Sequence, residues 1–251
     1  METKTAFITG ATSGIGKATA IIFAKNDINL VICGRRKEKL EALKNELSKH
    51  TKVTSLQFDV RNKNEVFDAV KSLPKEFQQI DILVNNAGNA HGLSTIQDGN
   101  LDDWDAMIDG NVKGLLYVTK AILPTMVANN DGFIINIGSI AGKEVYPNGN
   151  VYCASKFAVN ALNKAMRIDL NKHNIRSCAI HPGAVETEFS EVRFKGDKER
   201  AKSVYSGYKA LQPEDIADII YFVVSRPYHV NIEDLIVYPT AQASATILNK
   251  E

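Results

Sequence analysis

The chain has 251 residues, 44% hydrophobic and 24% charged, which is enough apolar material for a substantial core and an ordinary balance for a soluble globular protein. A net charge of +1 gives no electrostatic case for nucleic acid or an anionic membrane, and no apolar run approaches the ~20 residues of a membrane span. Three scattered cysteines without CxxC spacing and five histidines without HExxH spacing argue against a disulfide framework and against a metal site.

The first predicted strand, "TAFITG" at 5–10, starts almost at once, with no signal-peptide pattern before it, so a cytoplasmic protein is expected. It runs into "ATSGIGKATA", which sets Gly10, Gly14 and Gly16 between that strand and the first helix. Glycines here permit a tight turn and let backbone N–H groups approach a pyrophosphate at the positive end of a helix. The spacing is GxxxGxG rather than the commoner GxGxxG. The plain alternative is a turn with no ligand.

The second strand, 28–34, ends in "CGRRKEKL". A site for NAD wants a carboxylate at this point to accept from the ribose 2′-hydroxyl. Gly34, Arg35 and Arg36 stand there instead, and guanidinium groups offer paired donors to a 2′-phosphate, so the expected cofactor is NADP. The alternative is that the two arginines open a solvated helix. The third strand, 53–60, ends in Asp59 and Val60, well placed to meet an adenine, and the fourth spans 80–86.

After the helical stretch "GNVKGLLYVTKAILPTMVANN", the fifth strand at 132–139 ends on Ser139. The next helix opens "NVYCASKFAVNALNKAMRIDL", with Tyr152 and Lys156 four apart on one face. A free tyrosine, pKa ~10, is a poor proton carrier near neutrality. A nearby ammonium favours the phenolate, and a serine hydroxyl can hold a substrate oxygen beside it. The alternative is an amphipathic surface pair, which the serine and the glycine turn in the same chain weigh against.

The sixth strand, 175–182, leads into an irregular charged region at 183–212, followed by a helix from "PEDI" and a seventh strand at 234–239. Short apolar runs alternating with amphipathic helices give βαβ units. The expected fold is α/β: a doubly wound parallel sheet of seven strands in a three-layer α/β/α arrangement. It forms one domain over 1–251, with a substrate lid at about 186–212 and a C-terminal tail at 239–251. Such lids are built at the carboxyl ends of strands. Arg193 and Lys195 in this lid are candidates to meet a substrate carboxylate; surface or subunit contacts are the alternative.

In order, "TGATSGIG", "NNAG", "GNVKG", Ser139, "YCASK" and "PGAVET" resemble the short-chain dehydrogenase/reductase family over essentially the whole chain. The resemblance implies a Rossmann-type fold with Tyr152 as acid/base, and with Lys156 binding the nicotinamide ribose and lowering the tyrosine pKa. It implies that Ser139 orients the substrate oxygen and that Asn111 holds a water in a proton relay. It implies cofactor contacts from Gly10, Thr12, Ser13, Gly14, Ile15 and Gly16, from Asn86, Ala87 and Gly88, and from Pro182, Gly183, Val185 and Thr187. One departure is Ser13, where many NADP-using relatives carry a basic residue; this leaves the phosphate mainly to Arg35 and Arg36.

The second half, "TEFSEVRFKGDKERA" and "LQPEDIADIIYFVVSRPYHVNIEDLIVYPTAQAS", resembles the branch of that family that oxidises short 3-hydroxy acids with NADP. Serine, allo-threonine and 3-hydroxyisobutyrate are its substrate type, with malonic semialdehyde as an aldehyde acid for the reverse direction. Competing readings are a broad ketone or dicarbonyl reductase and a reductase of acyl-carrier thioesters, although "LPTMVANNDG" lacks the cations an acidic carrier needs. A non-catalytic NADP-sensing regulator is the reading from another class. A stripe of Ala154, Ala158, Ala161 and Ala165 suits close helix approach, either to the domain's own sheet or to another subunit. The family resemblance, in which long helices pair across a two-fold axis and tetramers are common, together with an apolar tail, implies a homotetramer, with a small hydroxy or oxo acid as the other partner.

Overall fold

The computed structural model describes residues 3–250. Seven parallel strands, β1 (Thr5–Ile8), β2 (Asn29–Gly34), β3 (Val53–Gln57), β4 (Ile82–Asn85), β5 (Gly132–Ile137), β6 (Ile175–Pro182) and β7 (Asp234–Val237), form one sheet in the order 3-2-1-4-5-6-7. All seven lie within the strands expected from the sequence, but β3 stops at Gln57, short of Asp59 and Val60, and β5 stops at Ile137, leaving Ser139 to cap a short 3-10 turn. β1, β4, β5 and β6 are buried along their whole length, as strands covered on both faces must be.

Alternate strand residues feed two cores. Ile8, Leu30, Val84 and Ile135 face α1 (Gly14–Lys25), α2 (Lys37–Leu47) and, through Ile216 and Ile220, the later helix Pro213–Val224. Phe7, Val31, Leu83 and Ile134 face α3 (Lys63–Lys71), a long rod, and the helix Asn150–Leu170. The rod is α4 (Leu101–Ile108), a wider π-helical turn at Asp109–Gly114, and α5 (Leu115–Asn129). Asn150–Leu170 is α6. Among the described residues, no helix is long and apolar enough to cross a membrane.

The strand order reverses between β1 and β4, so the glycine turn after β1 and the "NNAG" loop after β4 border one crevice at the carboxyl edge. Residues 183–212 are less irregular than expected. They hold two short helices, α7 (Phe189–Arg193) and α8 (Lys198–Ser203), before α9 (Pro213–Val224). The tail folds back on its own chain, where Gln242 Oε1 accepts from Ala184 N at 2.9 Å and Glu144 Oε2 accepts from Ala245 N at 2.9 Å. In the alanine stripe of α6, Ala154, Ala161 and Ala165 face outward and Ala158 is half-buried, so the stripe does not serve the sheet.

Candidate active site

The glycine turn is built by close approach. Gly10 and Gly14 have φ of +65° and +52°, a region that L side chains rarely enter. Gly16 packs against Gly10 O and Asn86 Nδ2, leaving no room for a Cβ. Asn86 Nδ2 donates to Thr9 O at 2.9 Å and to Gly10 O at 3.2 Å, fastening the "NNAG" loop to the turn. Ser13, at the N-cap of α1, makes no side-chain cap, so the first N–H groups of that helix stay open to an anion.

Arg36 closes the far side. Its Nε and Nη2 donate to Thr12 Oγ1 at 3.1 and 2.8 Å, and Nη2 also donates to Ser13 Oγ at 2.8 Å. Its Nη1 donates to Glu188 Oε2 at 2.7 Å, and Lys39 Nζ donates to Glu188 Oε1 at 2.9 Å. Arg35 is mostly exposed, 3.8 Å from Asp59, whose carboxylate is also bound by Arg61 at 2.6 Å. Burial pushes the Asp59 carboxyl up, but hydrogen bonds from Arg61 and the two guanidinium charges bring it below its usual range.

A cavity of about 520 Å³ runs from this turn to Tyr152. Gly10, Thr12, Ser13, Gly14, Ile15, Arg35, Arg36, Asp59, Val60, Asn86, Ala87, Gly88, Ser139, Tyr152, Lys156, Pro182, Gly183, Val185, Thr187 and Arg193 all line it. Gly16 and Asn111 stand behind its wall. Lys195 lies off it, paired with Asp103 at 3.0 Å, which spends the second cation expected for a substrate. The wide turn at Asp109–Gly114 carries Asn111 inward. There its side chain accepts from Asn89 N at 2.8 Å and donates to Asn89 O and Ser155 Oγ, both at 2.9 Å.

Tyr152 and Lys156 are buried on α6, at 8% and 7% exposure. The Tyr152 ring packs on Phe189 of α7 at 5.7 Å between centroids, and the Arg193 guanidinium carbon lies 5.5 Å from the Tyr152 ring centre. Arg193 is held by Gly92 O, 3.2 Å from Nε, and by Tyr146 Oη, 3.0 Å from Nη2.

The electrostatics differ from expectation. Burial pushes the Tyr152 phenol well up, Tyr146 adds to this, and the Ser139 side chain and Arg193 pull it down. Burial lowers Lys156 to about 8, and its Nζ donates to Ile137 O at 2.9 Å. Burial outweighs the neighbouring charges at Tyr152, so in the protein alone the phenol is neutral near pH 7, while Lys156, at about 8, keeps its charge there.

Sequence reasoning missed Tyr146, Phe189, Arg61, Glu188, Lys39 and Gln242. Arg61 follows Asp59 by two positions and Tyr146 sits between Ser139 and Tyr152, so proximity to a motif was their signal. Gln242, far along the tail, carried none.

The sequence profile described as short chain dehydrogenase matches residues 4–198. The NADP-dependent 3-hydroxy acid dehydrogenase YdfG of Salmonella typhi is 46% identical over 239 residues, covering 95% of this chain and 96% of the relative. The NADP-dependent 3-hydroxy acid dehydrogenase of Schizosaccharomyces pombe is 43% identical over 248 residues, covering 98% and 96%. Among solved structures, the closed form of a serine dehydrogenase complexed with NADP+ superposes with a TM-score of 0.92 at 42% identity, covering 98% of this chain and 99% of that one.

Proposed function

This chain belongs to the short-chain dehydrogenase/reductase family, and from that premise we propose that it is an NADP-dependent oxidoreductase interconverting a short 3-hydroxy acid and its 3-oxo acid. The observation that carries this reading is the juxtaposition of Tyr152 and Arg193 in one cavity wall, 5.5 Å from ring centre to guanidinium carbon. A 3-hydroxy acid presents a hydroxyl and a carboxylate separated by two carbon–carbon bonds. A proton acceptor beside a cation matches that pattern. The relatives' substrates support the same class.

The site's residues fit the cofactor. Positive-φ glycines and an uncapped helix start suit a pyrophosphate, and Arg35 and Arg36 with no carboxylate at the end of β2 suit a 2′-phosphate. Asn86, Ala87, Gly88 and the Pro182–Thr187 segment line the rest of the cleft and would hold the nicotinamide end. When bound, the nicotinamide supplies the acceptor or donor of hydride, and its oxidised charge favours phenolate at Tyr152.

The protein's own part is proton handling and positioning. Ser139 holds the substrate oxygen against Tyr152, and Tyr152 as phenolate takes the hydroxyl proton in the oxidative direction. Lys156, lowered to about 8, exchanges protons near neutrality and is the natural next carrier. Gly88 leaves both Lys156 Nζ and Asn111 Oδ1 a common border: a Cβ there would lie 3.6 and 2.9 Å from them. Asn111 therefore closes the inner end of the relay. Arg193 binds the substrate carboxylate.

A second reading, a ketone reductase of broad scope, draws support from the aromatic wall of Tyr146, Phe189, Phe194, Tyr205 and Tyr208. A steady-state panel of serine, allo-threonine, 3-hydroxyisobutyrate, malonic semialdehyde and uncharged ketones, each with NADP(H) and NAD(H), separates the two. Turnover of the acids with NADP(H) is expected; activity confined to uncharged ketones would overturn the acid assignment. We further place the enzyme in the cytoplasm as a homotetramer. Buried free thiols at Cys33, Cys153 and Cys178 suit a reducing compartment, and the outward alanine face of α6, flanked by Phe157, suits helix pairing between copies.

A further inference from the structure

We propose that Glu188 sets cofactor selectivity by competing with the adenosine 2′-phosphate for Arg36 and Lys39, an inference that rests on the NADP reading above. Glu188 comes from the segment after β6, 152 residues from Arg36 in the chain, yet its two oxygens take Arg36 Nη1 at 2.7 Å and Lys39 Nζ at 2.9 Å. The remaining face of Arg36 is also engaged, with Nε and Nη2 spent on Thr12 Oγ1 and Ser13 Oγ. A guanidinium has five N–H donors, so a phosphate arriving at the end of β2 finds one unspent, on Nη1, beside a carboxylate. A two-pronged grip on the phosphate therefore requires Glu188 or the Thr12–Ser13 hydroxyls to yield.

The hydroxyls belong to the glycine turn and can reorient toward a phosphate as donors. The carboxylate can only accept, so it competes for the same protons and repels the same charge. Glu188 stays ionised throughout the working range: burial pushes its carboxyl up, but the hydrogen bonds and charges of Lys39 and Arg36 hold it at about 2. A cofactor without the phosphate places no anion against it. Glu188 therefore selectively weakens binding of the phosphorylated form.

Glu188 immediately precedes α7, whose Phe189 packs on Tyr152 and whose Arg193 lies over the same ring. Glu188 thus stands where the 2′-phosphate end of the cleft adjoins the helix that walls the substrate side.

The test compares E188Q with the native protein by calorimetric titration with adenosine 2′,5′-bisphosphate and with 5′-AMP, which probe the adenosine end without turnover. The expected result is bisphosphate binding about fivefold tighter in E188Q, the scale of losing one half-exposed like charge, with 5′-AMP unchanged within about twofold. That gain should shrink in 0.5 M salt, where the Debye length is below about 5 Å. Unchanged or weaker bisphosphate binding, or an equal shift for both probes, would overturn the proposal. A native protein that binds both probes equally well would instead overturn the NADP reading itself.

Discussion

Lys156 Nζ donates to the carbonyl oxygen of Ile137, the last residue of β5, at 2.9 Å, so α6 is pinned to the sheet by the one ammonium in its buried face. Burial lowers this amine from its usual 10.5 to about 8. The native value lies below the unfolded one, so between pH 8 and 10.5 the unfolded chain binds more protons and stability rises with pH. Below pH 8 the full cost of the buried charge is in place, up to about 3 kcal/mol. Lys156→Met should therefore be inactive yet more stable than the native protein at pH 7, and should lose the upward slope between pH 8 and 10.5. Urea unfolding across that range measures it; a retained slope assigns the titration elsewhere.

Tyr152→Phe removes the phenolic oxygen and keeps the packing on Phe189. Turnover should fall by about 10³-fold, the range for losing a general acid/base, while NADPH binding changes by less than about twofold. Retained turnover would remove Tyr152 from the proton-transfer role.

Arg193→Ala should raise KM for 3-hydroxy acids by about 30-fold and for uncharged ketones by less than about threefold. Arg193 also ties α7 to Gly92 and Tyr146, so some common loss is built in. Equal losses for acids and ketones would leave only that tie and end the carboxylate role.

His181 is fully buried, its Nδ1 3.1 Å from Ser139 O and its Nε2 3.7 Å from Asp234 Oδ1, while Asp234 is also bound by Lys143. Burial, then the Lys143 charge, pushes the imidazole below its usual 6.5, and Asp234 only partly offsets this. With the native value below the unfolded one, stability falls as the pH drops through 6.5 and below. His181→Gln should blunt that acid loss, read as a flatter dependence of the urea midpoint on pH between 7 and 4.

The strands were legible because each is an apolar run bounded by turn residues, and the cofactor turn because glycine at Gly10 and Gly14 answers a local backbone demand. Tyr152, Lys156 and Ser139 were legible because polar residues at the mouth of an apolar helix and strand need a reason. Glu188 and Gln242 were not, because their partners, Arg36 and Ala184, lie far away in sequence and no local pattern encodes the meeting. The depth at which Tyr152 and Lys156 lie was hidden for a related reason: spacing reveals a neighbour four residues away but not how deeply both are buried.

The same blindness hid a ladder of amides. Asn85 Nδ2 donates to Thr119 Oγ1 at 2.9 Å and to Asn136 Oδ1 at 3.0 Å, and Asn136 Nδ2 donates to Asn163 Oδ1 at 3.0 Å, all within the buried interior. Asn136→Ala strands a donor on Asn85 and an acceptor on Asn163, and should cost about 2–4 kcal/mol by urea unfolding. A loss under about 1 kcal/mol would mean that water takes the vacated position.

The wide turn at Asp109–Gly114 sets an azimuth as well as bending Asn111 inward. One surplus residue rotates everything upstream by about 100° relative to α5. α4 is thereby aimed so that Asp103 meets Lys195 at 3.0 Å. A deletion at Gly110 that restored regular pitch would leave the rod helical and its composition almost untouched, yet would steer Asp103 away from its partner. In this rod, residue count acts as a bearing, and single-residue insertions and deletions are read as rotation.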